Sequence, residues 1–111
     1  MTSDATRAVA DALAELVAVL DATASAEGPD RHLAARAAVN IRATLASVAA
    51  AADASSLRSA FEAASYDTSE RGMFEWAWSP AMEETLRVHA ERIGRALDRA
   101  DRRVRRNPRA L

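Results

Sequence analysis

The most restrictive feature of the sequence is a run of apolar residues after Pro80 that recur at intervals of 4, 3, 4, 4, 3 and 4. Only a helix places residues with these intervals on one face. Ser79 followed by Pro80 is a typical helix start, and Asn107-Pro108 is a typical stop. We therefore predict a helix of about 27 residues, roughly 40 Å long. The repeat comprises Met82, Leu86, His89, Ile93, Leu97, Ala100 and Val104.

The rest of the chain lacks the residues that a β-sheet requires. It has 3 Gly and 3 Pro in 111 residues, and β-branched and aromatic residues are scarce. Sheets of short strands need such residues for their turns and pleated surfaces. We therefore predict an all-α protein, a small antiparallel bundle of about four helices with a long C-terminal helix.

Apolar periodicity predicts three shorter helices before the long one. The first covers 4–24, capped by Thr2 or Ser3, and a turn at Gly28-Pro29 follows it. The second covers roughly 30–52, and a short third covers about 56–65. The first helix should bury Val9, Leu13, Leu16, Val17 and Leu20, and the third Leu57, Phe61 and Ala64.

The second predicted helix is apolar on two opposite sides. Its main stripe contains Leu33, Ala37, Ile41, Leu45, Val48 and Ala52, and its back contains Val39, Ala43, Ala46 and Ala50. A helix that is apolar nearly all round is normally buried on both sides. Since 29 of the hydrophobic residues are Ala, the core of this chain is thin. We therefore expect another protein surface to cover the second side.

Residues 66–79 are the least regular part of the sequence and contain four of its five aromatic residues. Asp67 and Glu70 fit a capping pair, which predicts one or two helical turns here. The favoured interpretation of this segment is a plug that closes one end of the bundle. The alternative is a binding pocket or an interface anchor, because large aromatic side chains contribute much of binding energy. The residues concerned are Met73, Phe74, Trp76 and Trp78.

The near-neutral total charge of −1 hides an uneven distribution. Residues 1–86 carry six Arg and 13 acidic residues, whereas residues 87–111 carry nine Arg and three acidic residues. Four acid–Arg pairs at i,i+4 should support the long helix: Glu83/Arg87, Glu91/Arg95, Asp98/Arg102 and Asp101/Arg105. One flank of that helix is an acid-free arginine row, Arg92, Arg99, Arg103 and Arg106. Three interpretations of this row are open: the arginines are solvated, they pair with the acidic first helix of the same or a neighbouring subunit, or they contact phosphates.

No pattern in the chain indicates a catalytic, cofactor-binding or metal-ligating residue. The absence of Cys excludes disulfides and thiolate metal sites. Neither His89 nor His32 has a Glu three residues before it, as the helical di-metal motif requires. There is no Gly-flanked Ser and no Gly-rich phosphate loop. His89 is interpreted as a buried residue hydrogen-bonded to a neighbour or as a residue at the edge of the stripe, with a titrating switch as the alternative.

These patterns lead to three hypotheses about function. We expect one domain over 1–106 with a short tail at 107–111. We also expect no membrane association and a cytoplasmic location, because charges interrupt every apolar stretch. The first hypothesis is a non-enzymatic helical protein that self-associates or docks a larger protein partner through Val39, Ala43, Ala46, Ala50, Phe74, Trp76 and Trp78. The second is a nucleic-acid-binding accessory protein that uses the arginine row. The third and least supported is an enzyme built on His89. No small-molecule substrate is indicated.

Overall fold

The computed structural model describes residues 3–106, and within this range every regular element is helical. Four helices, α1 (Asp4–Ser25), α2 (Arg31–Ala50), α3 (Ala54–Asp67) and α4 (Pro80–Arg106), are joined by short connections, with one 3₁₀ turn at Met73–Glu75. The prediction of an all-α bundle with a long C-terminal helix is confirmed. No helix of the described range is long and apolar enough to cross a membrane. The predicted tail at 107–111 lies outside the described residues.

The helices alternate in direction around a common core, and the long α4 sets the 45 Å length of the molecule. Glu15 of α1 contacts Arg92 of α4, whereas Thr23 near the end of α1 contacts Met82 near the start of α4. These contacts show that α1 and α4 run antiparallel. We call the end that contains residues 26–30 and 68–80 the upper end, and the end that contains residues 51–53 the lower end.

Local capping explains where the helices begin. The Ser3 side chain accepts the backbone N–H of Thr6 at 3.1 Å, and Ser79 accepts that of Met82 at 3.3 Å, as the sequence predicted for α1 and α4. Helix α3 begins earlier than predicted because Asp53 is its N-cap and forms a capping box with Ser56.

The inner face of α2 differs from the predicted stripe. Ala37, Ile41 and Val48 are buried as expected, but Leu33 and Leu45 are only half-buried. The buried face also includes Ala34, Ala38 and Thr44, whose small side chains allow close approach of neighbouring helices. Ala52 was predicted wrongly, because the chain becomes extended at Ala51 and leaves Ala52 exposed outside the helix.

Helix α3 has 14 residues against 27 in α4, so it covers only the lower part of the bundle. The segment 68–79 occupies the upper part, where Met73 and Trp78 are buried. The predicted capping pair of Asp67 and Glu70 is wrong. Asp67 is the last residue of α3 and its carboxylate accepts a hydrogen bond from Thr44 at 2.6 Å, so it does not start a new helix.

Candidate interaction surfaces

The back of α2 is an exposed apolar face. Its members Val39, Ala43, Ala46 and Ala50 are spaced by four, three and four residues, which places them on one side of the helix. All four are exposed, and 65% of Val39 is accessible to solvent. The structure therefore leaves the second apolar side of α2 without cover from the described part of this chain.

After Leu33, α2 contains two arginines, and both turn away from this face. Arg42 forms an ion pair with Asp21 of α1 at 2.5 Å on one side. On the other side, the guanidinium of Arg36 lies 4.9 Å from the centre of the Trp76 ring, a cation–π contact. Because both charges are engaged at the edges, the middle of the face is uncharged.

The uncharged surface continues from α2 into the groove between α2 and α3. This groove, of about 490 Å³, is lined only by Ala and Ser side chains. Small side chains of this kind let another helix approach closely. The lining residues are Ser47, Ala50, Ala51, Ser56, Ser59, Ala60 and Ala63.

The aromatic segment is mainly a plug, with a limited exposed part. Trp78 is 8% exposed, and its indole N–H donates to the carbonyl of Met73 at 2.7 Å. Trp76 stacks on Trp78 with ring centroids 6.0 Å apart, and Trp76 and Phe74 remain half-buried. Trp78 therefore offers little surface to a partner, whereas Phe74 and Trp76 offer one edge each.

Arg87 attaches this segment to α4. It forms ion pairs with Glu70 of the segment and Glu83 of its own helix, both at 2.8 Å, and its guanidinium lies 4.5 Å from the Phe74 ring centre. The hydrogen bonds that Arg87 donates to Glu70 and Glu83 raise the pKa of its guanidinium above the ordinary value. The side chain thus fixes the position of the plug on the α4 side.

Asp30 makes the corresponding connection at the top of the bundle and was missed by the sequence analysis. It is 8% exposed, and its two carboxylate oxygens accept the backbone N–H of Ser79 at 2.7 Å and its hydroxyl at 2.6 Å. The sequence assigned Asp30 only to the start of the second helix. Its partner lies 49 residues away, so no local pattern indicates the contact.

The arginine row of α4 divides into two parts. Arg92 forms an ion pair with Glu15 of α1, so α1 supplies the acid that α4 lacks on this flank. The other members, Arg99, Arg103 and Arg106, line a groove of about 460 Å³ together with Asp4, Ala5 and Ala8 at the start of α1. This groove combines three guanidinium groups with the positive end of the α1 dipole and the negative Asp4.

The i,i+4 pairs predicted along α4 form in part. Glu83–Arg87 and Asp101–Arg105 are ion pairs, the latter at 3.0 Å. In the Asp98/Arg102 pair, Arg102 instead donates to the backbone carbonyl of Asp98 at 3.3 Å. The fourth predicted pair, Glu91/Arg95, is not among the ion pairs of residues 3–106.

His89 is half-buried on the inner side of α4, and its Nδ1 is buried without a hydrogen-bond partner within the described range. Of the interpretations of His89, that of a hydrogen-bonded core residue is not met at Nδ1, whereas its half-buried position agrees with a residue at the edge of the stripe. Over residues 3–106 there is no cluster of three or more His, Cys, Asp or Glu residues that could hold a metal ion.

Comparisons with protein-family models, curated proteins and solved structures find no significant match to this chain. The function is therefore inferred from the surfaces of the molecule itself. The two largest candidates are the uncharged surface of α2 and α3 and the arginine groove between α1 and α4.

Proposed function

We propose that the protein is a non-enzymatic helical interaction module that self-associates, with a second copy of the chain seated on the back of α2. The observation that carries this proposal is the charge-free face centred on Ala43, with Val39 65% exposed and both flanking arginines turned aside. A single apolar residue on a surface is ordinary, but a helix face without charge over about three turns is not.

Two physical properties favour a second copy as the occupant. A two-fold contact places the same face on both sides, so a face that is uncharged throughout meets no unpaired charge on its partner. Alanine also loses no side-chain conformational entropy when it is buried, so the cost of ordering this interface is low. The adjoining Ala and Ser groove between α2 and α3 widens the surface that a copy of α2 contacts.

The test is the substitution Ala46→Glu, studied by size exclusion with light scattering over a range of protein concentrations. We expect the unsubstituted chain to form a dimer or larger species and Ala46→Glu to be monomeric, because two carboxylates would be buried without partners. The matched control is Ala14→Glu, which adds the same charge at an exposed alanine of α1. A monomer at every concentration contradicts the proposal, as does equal dissociation by the two substitutions.

A second candidate function is nucleic-acid binding, favoured by the convergence of Arg99, Arg103 and Arg106 on one groove. Three phosphate contacts would give a log–log salt slope of roughly −2.7 on duplex DNA, which is about a 40-fold loss of affinity between 50 and 200 mM salt. Arg92 is engaged with Glu15 and adds little to this slope.

Fluorescence anisotropy with a labelled duplex of arbitrary sequence tests this candidate. Arg103→Gln should reduce the magnitude of the slope by about 1, whereas its neighbour Arg102→Gln, outside the groove, should reduce it less. Absence of binding at low salt excludes the candidate, and equal effects of the two substitutions show that the groove is not the site.

A further inference from the structure

A small cavity lies at the upper end of the bundle, on the side of α2 away from the exposed apolar face of Val39, Ala43, Ala46 and Ala50, which we call the bare face. It has a volume of about 190 Å³ and is enclosed by α2, the C-terminal end of α3 and the chain just before and after the 3₁₀ turn. Its apolar wall is formed by Ala37, Ile41, Met73 and Trp76. The cavity is therefore built from three separate parts of the chain around an apolar floor.

The polar rim of the cavity carries one negative and one positive side chain. Asp67 is half-buried, and its Oδ2 accepts the Thr44 hydroxyl at 2.6 Å, which fixes the carboxylate in place. Arg71 lines the same cavity from the segment that follows α3, and Asn40 and Tyr66 complete the rim.

The two charges are not engaged in ion pairs within the described residues. Neither Asp67 nor Arg71 forms an ion pair within residues 3–106, with each other or with any other side chain. An acid and an arginine four positions apart are able to pair when they share a helix. Here α3 ends at Asp67, so Arg71 lies on a turn and both charges line the same cavity without meeting.

Close backbone packing at Gly72 holds this arrangement in place. A Cβ atom at Gly72 would lie 2.3 Å from the carbonyl oxygen of Tyr66 and 2.6 Å from that of Asp67. The turn that carries Arg71 therefore packs directly on the last residues of α3. Since the Thr44 hydroxyl of α2 also donates a hydrogen bond to the Asp67 carboxylate, the acidic part of the rim is fixed before any ligand binds.

We propose that this cavity binds a small zwitterion of the α-amino acid class. Asp67 pairs with the ammonium group, Arg71 with the carboxylate, and Met73 and Trp76 contact the side chain of the ligand. The volume of 190 Å³ corresponds to about six water molecules at roughly 30 Å³ each, which suits a molecule of amino-acid size. The site is independent of the proposed self-association, because its residues are separate from the bare face of α2.

The chain provides its own spectroscopic control for a binding test. It contains 3 glycines, of which Gly72 lines the cavity while Gly28 lies in the α1–α2 turn and Gly94 in α4. In a ¹H–¹⁵N correlation spectrum of the full chain, each standard amino acid is added separately up to about 10 mM, a range that reveals even millimolar affinity. We expect the amide signal of Gly72 to move with the binding ligand while those of Gly28 and Gly94 stay fixed.

Singly charged analogues then test the zwitterion requirement. If leucine is the strongest ligand, 3-methylbutylamine lacks its carboxylate and 4-methylpentanoate lacks its ammonium group, and each should bind at least about tenfold more weakly. Any other strongest ligand is compared with its own amine and acid analogues. Equal binding of an analogue overturns the proposal, as does a Gly72 signal that no amino acid moves.

Two substitutions assign the charges. Asp67→Asn, which can still accept the Thr44 hydroxyl, and Arg71→Gln should each weaken amino-acid binding about tenfold while the spectrum of the folded chain is retained. The matched controls are Glu27→Gln and Arg31→Gln, at exposed positions outside the cavity. Unchanged affinity in both cavity variants overturns the assignment, and so does an equal loss in the controls.

Discussion

The upper and lower ends of this bundle are stabilised in different ways. At the upper end, hydrogen bonds and ion pairs join residues far apart in the sequence, such as Asp30 with Ser79 and Arg87 with Glu70. At the lower end, the α2–α3 turn depends on the local capping box of Asp53 and Ser56. One end is closed by a specific long-range network, and the other is a short-range turn among small side chains.

The difference explains where the unpartnered surfaces lie. The upper end contains the bulky side chains that an alanine-rich chain has in short supply, and it uses them to fill the space beyond the short α3. Toward the lower end, the groove lined by Ala and Ser and the arginine groove remain open. Stability and surface properties are therefore separated along the bundle axis, and substitutions can test each independently.

The largest expected effect at the upper end is that of Trp78→Ala. Trp78 is 8% exposed, and removal of its indole ring leaves a cavity within the plug. The free energy of unfolding should therefore fall by about 3–5 kcal/mol. Urea denaturation followed by circular dichroism measures the loss. The half-buried Trp76 is the control, and a Trp76→Ala change of equal cost would show that Trp78 is not the centre of the plug.

Gly72→Ala should have the next largest effect, because the new Cβ would lie 2.3 Å from a backbone oxygen that cannot rotate away. We expect a loss of about 3 kcal/mol, the upper part of the range for overpacking. The same substitution at Gly94, where nothing lies within 4 Å, should instead stabilise α4 slightly, since Ala is the better helix former. Similar midpoints for Gly72→Ala and the unsubstituted chain in urea would exclude the tight packing described for this turn.

Asp30→Ala should remove the long-range connection between the start of α2 and the start of α4. Both hydrogen bonds to Ser79 are lost, and the expected cost is about 2 kcal/mol because the acceptor is charged and largely buried. The exposed Glu27→Ala provides the baseline. If the two substitutions shift the urea midpoint equally, the upper end does not depend on this contact.

Patterns local to one helix predicted much of the fold. The Ser79-Pro80 start and the apolar repeat of α4 depend on neighbouring residues in the chain, and the structure confirms both, as it does the buried stripe of α1. Helix α3 was predicted two residues too short at its start, because Asp53 was assigned to a break and not recognised as a cap.

The surfaces were harder to predict because they depend on how the helices align with one another. Arg92 belongs to an acid-free row on α4, yet Glu15 of α1 pairs with it once the two helices lie antiparallel. The cavity at Asp67 and Arg71 requires α2 and the end of α3 to meet, and helical periodicity contains no information on that contact. The apolar back of α2 was identified because the residues that share one helix face follow from the periodicity of a single element.

The smallest effect is expected at the lower end, and it depends on pH. The backbone N–H of Ser56, and then its side chain, hold the pKa of Asp53 below its ordinary value of 3.8. A carboxylate with a lowered pKa in the folded state stabilises the fold fully above that ordinary value, and the contribution is lost as the pH falls through the lowered value. Asn is an equally good N-cap without a charge, so Asp53→Asn should keep the cap and remove its pH dependence. Thermal unfolding from neutral pH to about pH 2 should show the unsubstituted chain losing stability relative to Asp53→Asn only in the acid range. Parallel curves over the whole range would show that the lower end does not depend on the charge of its cap.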